Sequence, residues 1–289
     1  MPFVIDRRSF LKQAVTAASM AGVAELTADP ANTRVALLSD THIAADPNDR
    51  FRGFFPHQNL RKTVDQVSGS HFDLLVVNGD IARQKGEPED YAKFTPFIDP
   101  LAERMPLVIT LGNHDDRKNA RSALARRAGD IAPVEQKLVS TIDAGAFQFV
   151  MLDSLLVTNV IPGQLGKSQR VWLEDHLQEL GAKPVVVFVH HNPNPDDDGA
   201  LVDADRLLAI LKPKRSVKAL IFGHTHAYGL DKQDGLHLIN LPAVGYNFSD
   251  GHPVGWVEGT FSSQGVELKL HVVAGDTKGD GNVARLSWR

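Results

Sequence analysis

Leu107-Val108-Ile109-Thr110-Leu111-Gly112-Asn113-His114-Asp115-Asp116 sets the frame in which the rest of the chain is read. Its first half is an apolar run with β-branched residues and predicts a buried strand. Its second half is an abrupt polar stop, which puts Asn113 and His114 at that strand's carboxyl end. Four further stretches have the same form. Val35-Ala36-Leu37-Leu38 precedes Ser39-Asp40-Thr41-His42, and Leu74-Leu75-Val76-Val77 precedes Asn78-Gly79-Asp80. Val185-Val186-Val187-Phe188-Val189 precedes His190-His191, and Ala219-Leu220-Ile221-Phe222 precedes Gly223-His224-Thr225-His226. Open α/β sheets hold their chemistry at the carboxyl ends of their strands, so five ends carrying Asp, His or Asn predict one site.

Between these strands the pattern predicts helices. One runs from Asn59 to about Val67. A second opens at Pro88, with Tyr91, Phe94, Ile98 and Leu101 at helical spacing, and Pro96 is expected to break or kink it. A charged one spans Asp116 to Ala128. A fourth, capped by Ser168 and ended by Gly181, puts Leu173, Leu177 and Leu180 on one face, and a fifth lies near Leu201 to Leu211. Lys137 to Leu152 reads as a hairpin. After His226 come short β segments, Tyr228 to Lys232, Leu236 to Leu241, Val254 to Phe261 and Val266 to Val273, with Asp234-Gly235 and Gln264-Gly265 as turns; they predict an added antiparallel sheet. The polar loop from Ala44 to Gln58 is long enough to suggest function. Asp276 to Gly281 superficially resembles a calcium loop, but Lys278 stands at a ligand position and no Glu follows at the required distance, so it reads as a turn.

At 289 residues and 43% hydrophobic, the chain can bury one sizeable core, and no stretch resembles a linker, so residues 31–289 read as a single domain ending in antiparallel strands. A net charge of −4 without a long basic run gives no electrostatic case for a nucleic-acid groove or an anionic membrane surface. The absence of Cys excludes thiolate ligands, thiol nucleophiles and disulfides, and suits an oxidising compartment without proving one. Residues 1–30 differ from the rest: Arg7-Arg8-Ser9-Phe10-Leu11-Lys12, a mildly apolar stretch from Ala14 to Ala24, then small and polar residues. That is the order of a signal peptide, and the apolar part falls far short of the ~20 residues of a permanent span. It closely resembles a twin-arginine export signal, with Asp6 where Ser or Thr is commoner. The resemblance implies the twin-arginine machinery as a partner, a periplasmic or extracellular destination, and no stable membrane anchor after cleavage.

Taken together, Asp40, His42, Asp80, Asn113, His190, His224 and His226 are oxygen and imidazole donors that suit Mn, Fe, Zn or Co. Their order, D-x-H, G-D, G-N-H-D, H and G-H-x-H from about Arg34 to His226, resembles the calcineurin-like metallophosphoesterase superfamily. The resemblance implies an α/β fold, a four-layer α/β/β/α sandwich, with a centre of two divalent metal ions. Asp40, His42 and His226 would hold the first ion, Asn113, His190 and His224 the second, and Asp80 would bridge them. His191 competes for the fourth motif, and the resemblance favours His190, because the family's ligand directly follows the strand. A metal-bridging hydroxide would attack the phosphorus in line. His114 is then the candidate to protonate the leaving oxygen or stabilise its charge, with Asp115 either orienting it or simply favouring a helix N-terminus. Gly79-Asp80-Ile81, Glu87 to Tyr91 and Gly112 to Arg117 look like bacterial cyclic-nucleotide and glycerophosphodiester phosphodiesterases, although Arg83 stands where those often have Asp. Arg83 is expected to bind a phosphate oxygen or to pair with Glu87, and His57 to contact substrate or lie at the surface. Asp196 to Asp198 reads as a solvated loop. The expected substrate is a small phosphate ester, with a phosphodiesterase first, a phosphomonoesterase second, and a non-catalytic metal-binding or scaffold protein behind both.

Overall fold

A computed structural model describes residues 32–124 and 129–289. The signal-like segment and the end of the third expected helix, residues 125–128, lie outside the described residues. The elements run β1 (Asn32–Leu38), α1 (Pro56–Ser68), β2 (Leu74–Asn78), α2 (Pro88–Ala102), β3 (Leu107–Thr110), α3 (Arg117–Ala123), β4 (Asp130–Ile131), β5 (Ser140–Ala144) and β6 (Phe147–Met151). They continue with α4 (Lys167–Leu180), β7 (Val185–Phe188), α5 (Ala204–Leu211), β8 (Val217–Phe222), β9 (Gly229–Gln233), β10 (Leu236–Asn240), β11 (Pro253–Ser262), β12 (Gly265–Gly275) and β13 (Val283–Ser287).

Two sheets result, a six-stranded one ordered β13-β12-β11-β1-β2-β3 and a seven-stranded one ordered β4-β5-β6-β7-β8-β10-β9. β1, β2 and β3 are mutually parallel, as are β6, β7, β8 and β10. Both faces of these strands are covered, which is why they read as unbroken apolar runs. Alternation along β1 shows it: Val35 and Leu37 face the second sheet, whereas Ala36 and Leu38 face the helices. One core packs Leu60 of α1 and Tyr91, Phe94 and Ile98 of α2 on the first sheet, and another packs Leu173 and Leu177 of α4 and Leu207 and Leu211 of α5 on the second. Between the sheets lies the third core, where Phe149, Phe188 and Phe261 interlock. Three cores separate four layers, helix, sheet, sheet and helix. Among the described residues no helix is long and apolar enough to cross a membrane.

Several local expectations change. The late β segments make no sheet of their own. β11 and β12 extend the first sheet through antiparallel pairing of β11 with β1, while β10 joins the second parallel to β8. α2 runs unbroken through Pro96 and Pro100. Both prolines lie on its exposed side, where water can take the carbonyls they orphan, while Tyr91, Phe94, Ile98 and Leu101 hold the other side in the core. α1 starts at Pro56, whose missing N–H costs nothing in a first turn. Ser168 lies inside α4, and Gly166 is the residue at the cap. Asp276 to Gly281 is a turn whose Asp280 accepts from the Val272 amide.

The centre of the sheet-to-sheet core gives a direct test. Phe261 is fully buried with its ring 5.2 Å from Phe149 and 5.8 Å from Phe147. Phe261→Ala is expected to lower stability by about 3–5 kcal/mol, seen as a lower urea midpoint at unchanged slope.

Candidate metal centre

Every donor sits just past the carboxyl end of a parallel strand, and the two sheets bring those ends to one edge. Asp40 and His42 follow β1, Asp80 follows β2 and Asn113 follows β3, all in the first sheet; His190 follows β7, and His224 and His226 follow β8, in the second. Backbone bonds stitch the loops together: the Asp40 amide donates to the Gly79 carbonyl at 3.0 Å and the Gly223 amide to the His190 carbonyl at 2.9 Å. Across the gap, the Asn78 side chain donates to the Val189 carbonyl at 3.1 Å.

The turns that aim these side chains are strained. Asp40, His42, Asp80, His224 and His226 have φ of 52°, 49°, 48°, 70° and 54°, five of the nine non-glycine residues with positive φ among those described. A left-handed conformation is uncommon for such residues and persists only where the surroundings impose it, which marks a functional constraint. The motif glycines have a steric reason as well. A Cβ on Gly79 would overlap the His190 ring, and one on Gly112 would overlap the Asp80 carboxylate.

Atom by atom the donors form two groups, with a third, His42, Asp80 and His114, linking them. Asp40, His42 and His226 offer atoms within 4.8 Å of one another, and so do Asp80, His190 and His224. Asp80 Oδ2 lies 3.7 Å from His42 Nε2 and 3.3 Å from His190 Nε2, between the groups. The Nδ1 atoms of His42, His190 and His226 face the carbonyls of Arg83, Asn78 and Tyr246 at 3.4, 2.9 and 2.6 Å. Each Nδ1 is therefore the protonated nitrogen, and each Nε2 presents a lone pair inward. His42 Nε2 and His226 Nε2 then stand 3.0 Å apart, lone pair to lone pair, an arrangement that a cation between them relieves. Asp40 Oδ1, Asn113 Oδ1 and His190 Nε2 are buried without a hydrogen-bond partner, and unpaired buried donors of this kind suit divalent ions.

The electrostatics ask for the same charge. Burial pushes the Asp40 and Asp80 carboxyls up, but the imidazoles around them, His190 with His226 at Asp40 and His190 with His114 and His42 at Asp80, together outweigh it and hold both below the usual carboxylate range. Burial disfavours charge on His190, yet Asp80 and Asp40 raise it to about 10. Without a bound metal ion the two buried carboxylates thus draw a proton onto His190 Nε2, and a metal ion taking that nitrogen would displace it. His42 is pushed well down by burial, and His224 to about 4 by burial and His190, so both remain neutral, as ligands must. His191 is engaged elsewhere: Nδ1 meets Ser154 Oγ at 2.7 Å and Nε2 the Ile161 carbonyl at 3.0 Å.

His114 stands at the mouth, half-buried. Its amide donates to Asp80 Oδ1 at 2.8 Å and its Nδ1 faces the Gln84 carbonyl at 3.0 Å, which leaves Nε2 for the group formed with His42 and Asp80. Asp115 does not orient that ring. Its buried carboxylate accepts from the amides of Gly112, Ile81 and Ala82 and from the Tyr91 hydroxyl, clamping the loop after β2 to the loop after β3. Burial and the Asp80 charge raise it to about 6. The residue capping α3 is Asp116, which accepts from the Asn119 amide at 2.9 Å. Arg83 pairs with Asp49 at 2.7 Å rather than with Glu87, and its guanidinium lies over both Phe51 and Tyr246 at 5.4 Å. His57 is neither at the surface nor facing the centre: Nε2 donates to the Ala44 carbonyl at 2.7 Å and the ring packs edge-on against Phe97. Sequence reasoning passed over Tyr246 and Phe248, which flank His226 with ring centroids at 4.7 and 4.1 Å, because their aperiodic segment carries no donor motif.

A family model described as calcineurin-like phosphoesterase matches residues 33–228. A probable cyclic nucleotide phosphodiesterase of Vesicomyosocius okutanii is 26% identical over 224 residues, covering 76% of this chain and 89% of that protein. A glycerophosphodiester phosphodiesterase of Enterobacter lignolyticus is 30% identical over 218 residues, covering 73% and 77% respectively. The fold matches the crystal structure of a dimetal phosphatase from Danio rerio with a TM-score of 0.72 at 16% identity, over 89% of this chain and 99% of that one.

The donor geometry predicts that the cost of losing Asp80 depends on metal. With Mn²⁺ in ~100-fold excess over its dissociation constant, the wild type should gain about 2.7 kcal/mol, a rise of several degrees in Tm, and Asp80→Asn should lose most of that gain. In chelator, Asp80→Asn should cost less than it does with metal, because there it removes only the carboxylate beside His190 and not a metal ligand as well. Thermal melts of both proteins in both buffers check this; equal destabilisation by the substitution with and without metal would contradict it.

Proposed function

Because the chain belongs to the calcineurin-like phosphoesterase family, we propose that it is a metal-dependent phosphodiesterase acting on small phosphodiesters at the centre just described. Hydrolysis of phosphoric esters is the family's chemistry. The observation that carries the reading to these residues is the pair of adjoining donor groups, Asp40, His42 and His226 beside Asp80, His190 and His224, with Asp40 Oδ1, Asn113 Oδ1 and His190 Nε2 buried and unpaired. Asp40, His42 and His226 would hold one divalent ion, and Asn113, His190 and His224 the other, with Asp80 between them. Such ions supply positive charge to phosphoryl oxygens and lower the pKa of bound water toward neutrality.

The chain's own residues do the rest. The carbonyls of Arg83, Asn78 and Tyr246 fix the imidazoles with Nε2 inward. Asp115 holds the Gly112 turn, and with it Asn113 and His114, against the Asp80 loop. His114 Nε2 is placed to give a proton to, or hydrogen-bond, the departing oxygen, while Nδ1 stays on the Gln84 carbonyl. Arg83 is held by Asp49, so a dianionic monoester finds no extra positive charge there. That supports the diester, as do the names of the two relatives. The full donor set and His114 are retained, which supports turnover over a scaffold role.

Metal-supplemented protein should hydrolyse bis(p-nitrophenyl) phosphate in preference to p-nitrophenyl phosphate. Asn113→Ala should abolish this, and His114→Ala should lower kcat by roughly 10²–10⁴ with little change in KM. Preference for the monoester would transfer the reading to a phosphomonoesterase; metal binding without turnover would point to a scaffold.

The export reading rests on Arg7-Arg8 and the apolar stretch behind them. We propose a periplasmic or extracellular enzyme delivered by the twin-arginine machinery. Cell fractionation should find the mature chain outside the cytoplasm, and replacing both arginines with lysine should leave it inside.

A further inference from the structure

An exposed aromatic ring is stacked on a buried metal-ligand candidate. Phe248 is 52% exposed, yet its ring lies 4.1 Å from that of His226 at an interplanar angle of 25°. The residues before it are fixed. Tyr246 is buried, accepts from His226 through its carbonyl at 2.6 Å, and packs against His42 at 4.6 Å. Asn247 is fully buried and donates to the His252 carbonyl at 2.6 Å. Arg52, paired with Asp250 at 3.2 Å, ties this segment to the loop that carries Phe51. One face of Phe248 thus lies on His226, and an apolar surface is left facing water beside the centre. A single exposed apolar side chain is ordinary at a protein surface; what sets this ring apart is its stacking on His226 at the edge of the centre.

We propose that Phe248 is a specificity-determining residue that stacks on a flat, uncharged ring carried by the retained ester group of the substrate; this rests on the phosphodiesterase reading above. Three observations choose this occupant. The cation beside the wall, Arg83, is neutralised by Asp49, so the wall recognises no second anion. The ring contacts run from His114 to His42 at 5.3 Å, from His42 to His226 at 4.9 Å, and from His226 to Phe248. Two imidazoles therefore separate Phe248 from His114, and a group departing at His114 cannot lie on Phe248, so the ring belongs to the ester group that stays. Beside His224, across Gly199, the exposed side chain is instead the aliphatic Ile161.

The test keeps one leaving group and changes only the retained one. Metal-supplemented wild type and Phe248→Ala are compared on p-nitrophenyl phenyl phosphate and p-nitrophenyl methyl phosphate. The phenyl-to-methyl ratio of kcat/KM should fall roughly ten-fold in Phe248→Ala, the size of one aromatic stack, chiefly through KM, and Phe248→Trp should restore it. Binding without turnover gives a second readout: by calorimetry Phe248→Ala should weaken diphenyl phosphate more than dimethyl phosphate. An equal loss on both esters would mean that Phe248 only braces His226, and an unchanged ratio would equally overturn the proposal. If neither diester is hydrolysed while diphenyl phosphate binding still depends on Phe248, the phosphodiesterase reading fails and the ring site stands.

Discussion

Asp40 and Asp80 are almost completely buried where the two sheets meet, and the molecule is arranged around the charge they bring there. A carboxylate in such a place is tolerable only with a cation or several hydrogen bonds in reach. Each has one oxygen settled by backbone: Asp40 Oδ2 accepts from the His224 amide and Asp80 Oδ1 from the His114 amide. The other oxygen is left for positive charge. The imidazoles, their carbonyl partners and the glycines of the motifs all serve that second oxygen, by position, by orientation or by leaving space.

The strain in the same loops follows from this demand. A strand that simply ended would direct its last side chains to the sheet's faces. Turning them to the edge takes a left-handed residue at Asp40, at Asp80 and at His226, each costing about 1–3 kcal/mol, and the packed sheets on both sides supply what offsets it. The rigidity of the three cores is thus a condition of the site as well as of the fold.

The donors were legible in the sequence because each follows a strand buried on both faces, and a doubly buried strand leaves an unbroken apolar run that stops sharply at the polar end. The preference for His190 over His191 comes from the family resemblance, in which the ligand directly follows the strand. What the sequence hid was direction and long-range pairing. Asp115 sits one residue from His114, yet its carboxylate turns to the amides of Ile81 and Ala82, which a linear reading cannot foresee. Arg83 had Glu87 four residues away and chose Asp49, which the fold brings closer. Pro96 obeyed local propensity less than the packing of α2. β13 and the antiparallel partner of β1 depend on register between distant segments, about which local periodicity is silent.

β1 comes first among the described strands and ends inside its sheet, between β2 and β11. Its pairing with β2 can form early in synthesis, but its other edge waits for β11, where Asn32 meets Ser262. Until then a strand that is apolar from Val35 to Leu38 offers unsatisfied N–H and C=O groups to any passing chain. Contacts this distant in sequence form slowly, and the donors, spread from Asp40 to His226, cannot converge before most of the polypeptide has been made. The centre is accordingly a late product of folding rather than its seed, and the nascent protein's period of greatest vulnerability to aggregation precedes any help a bound ion could give.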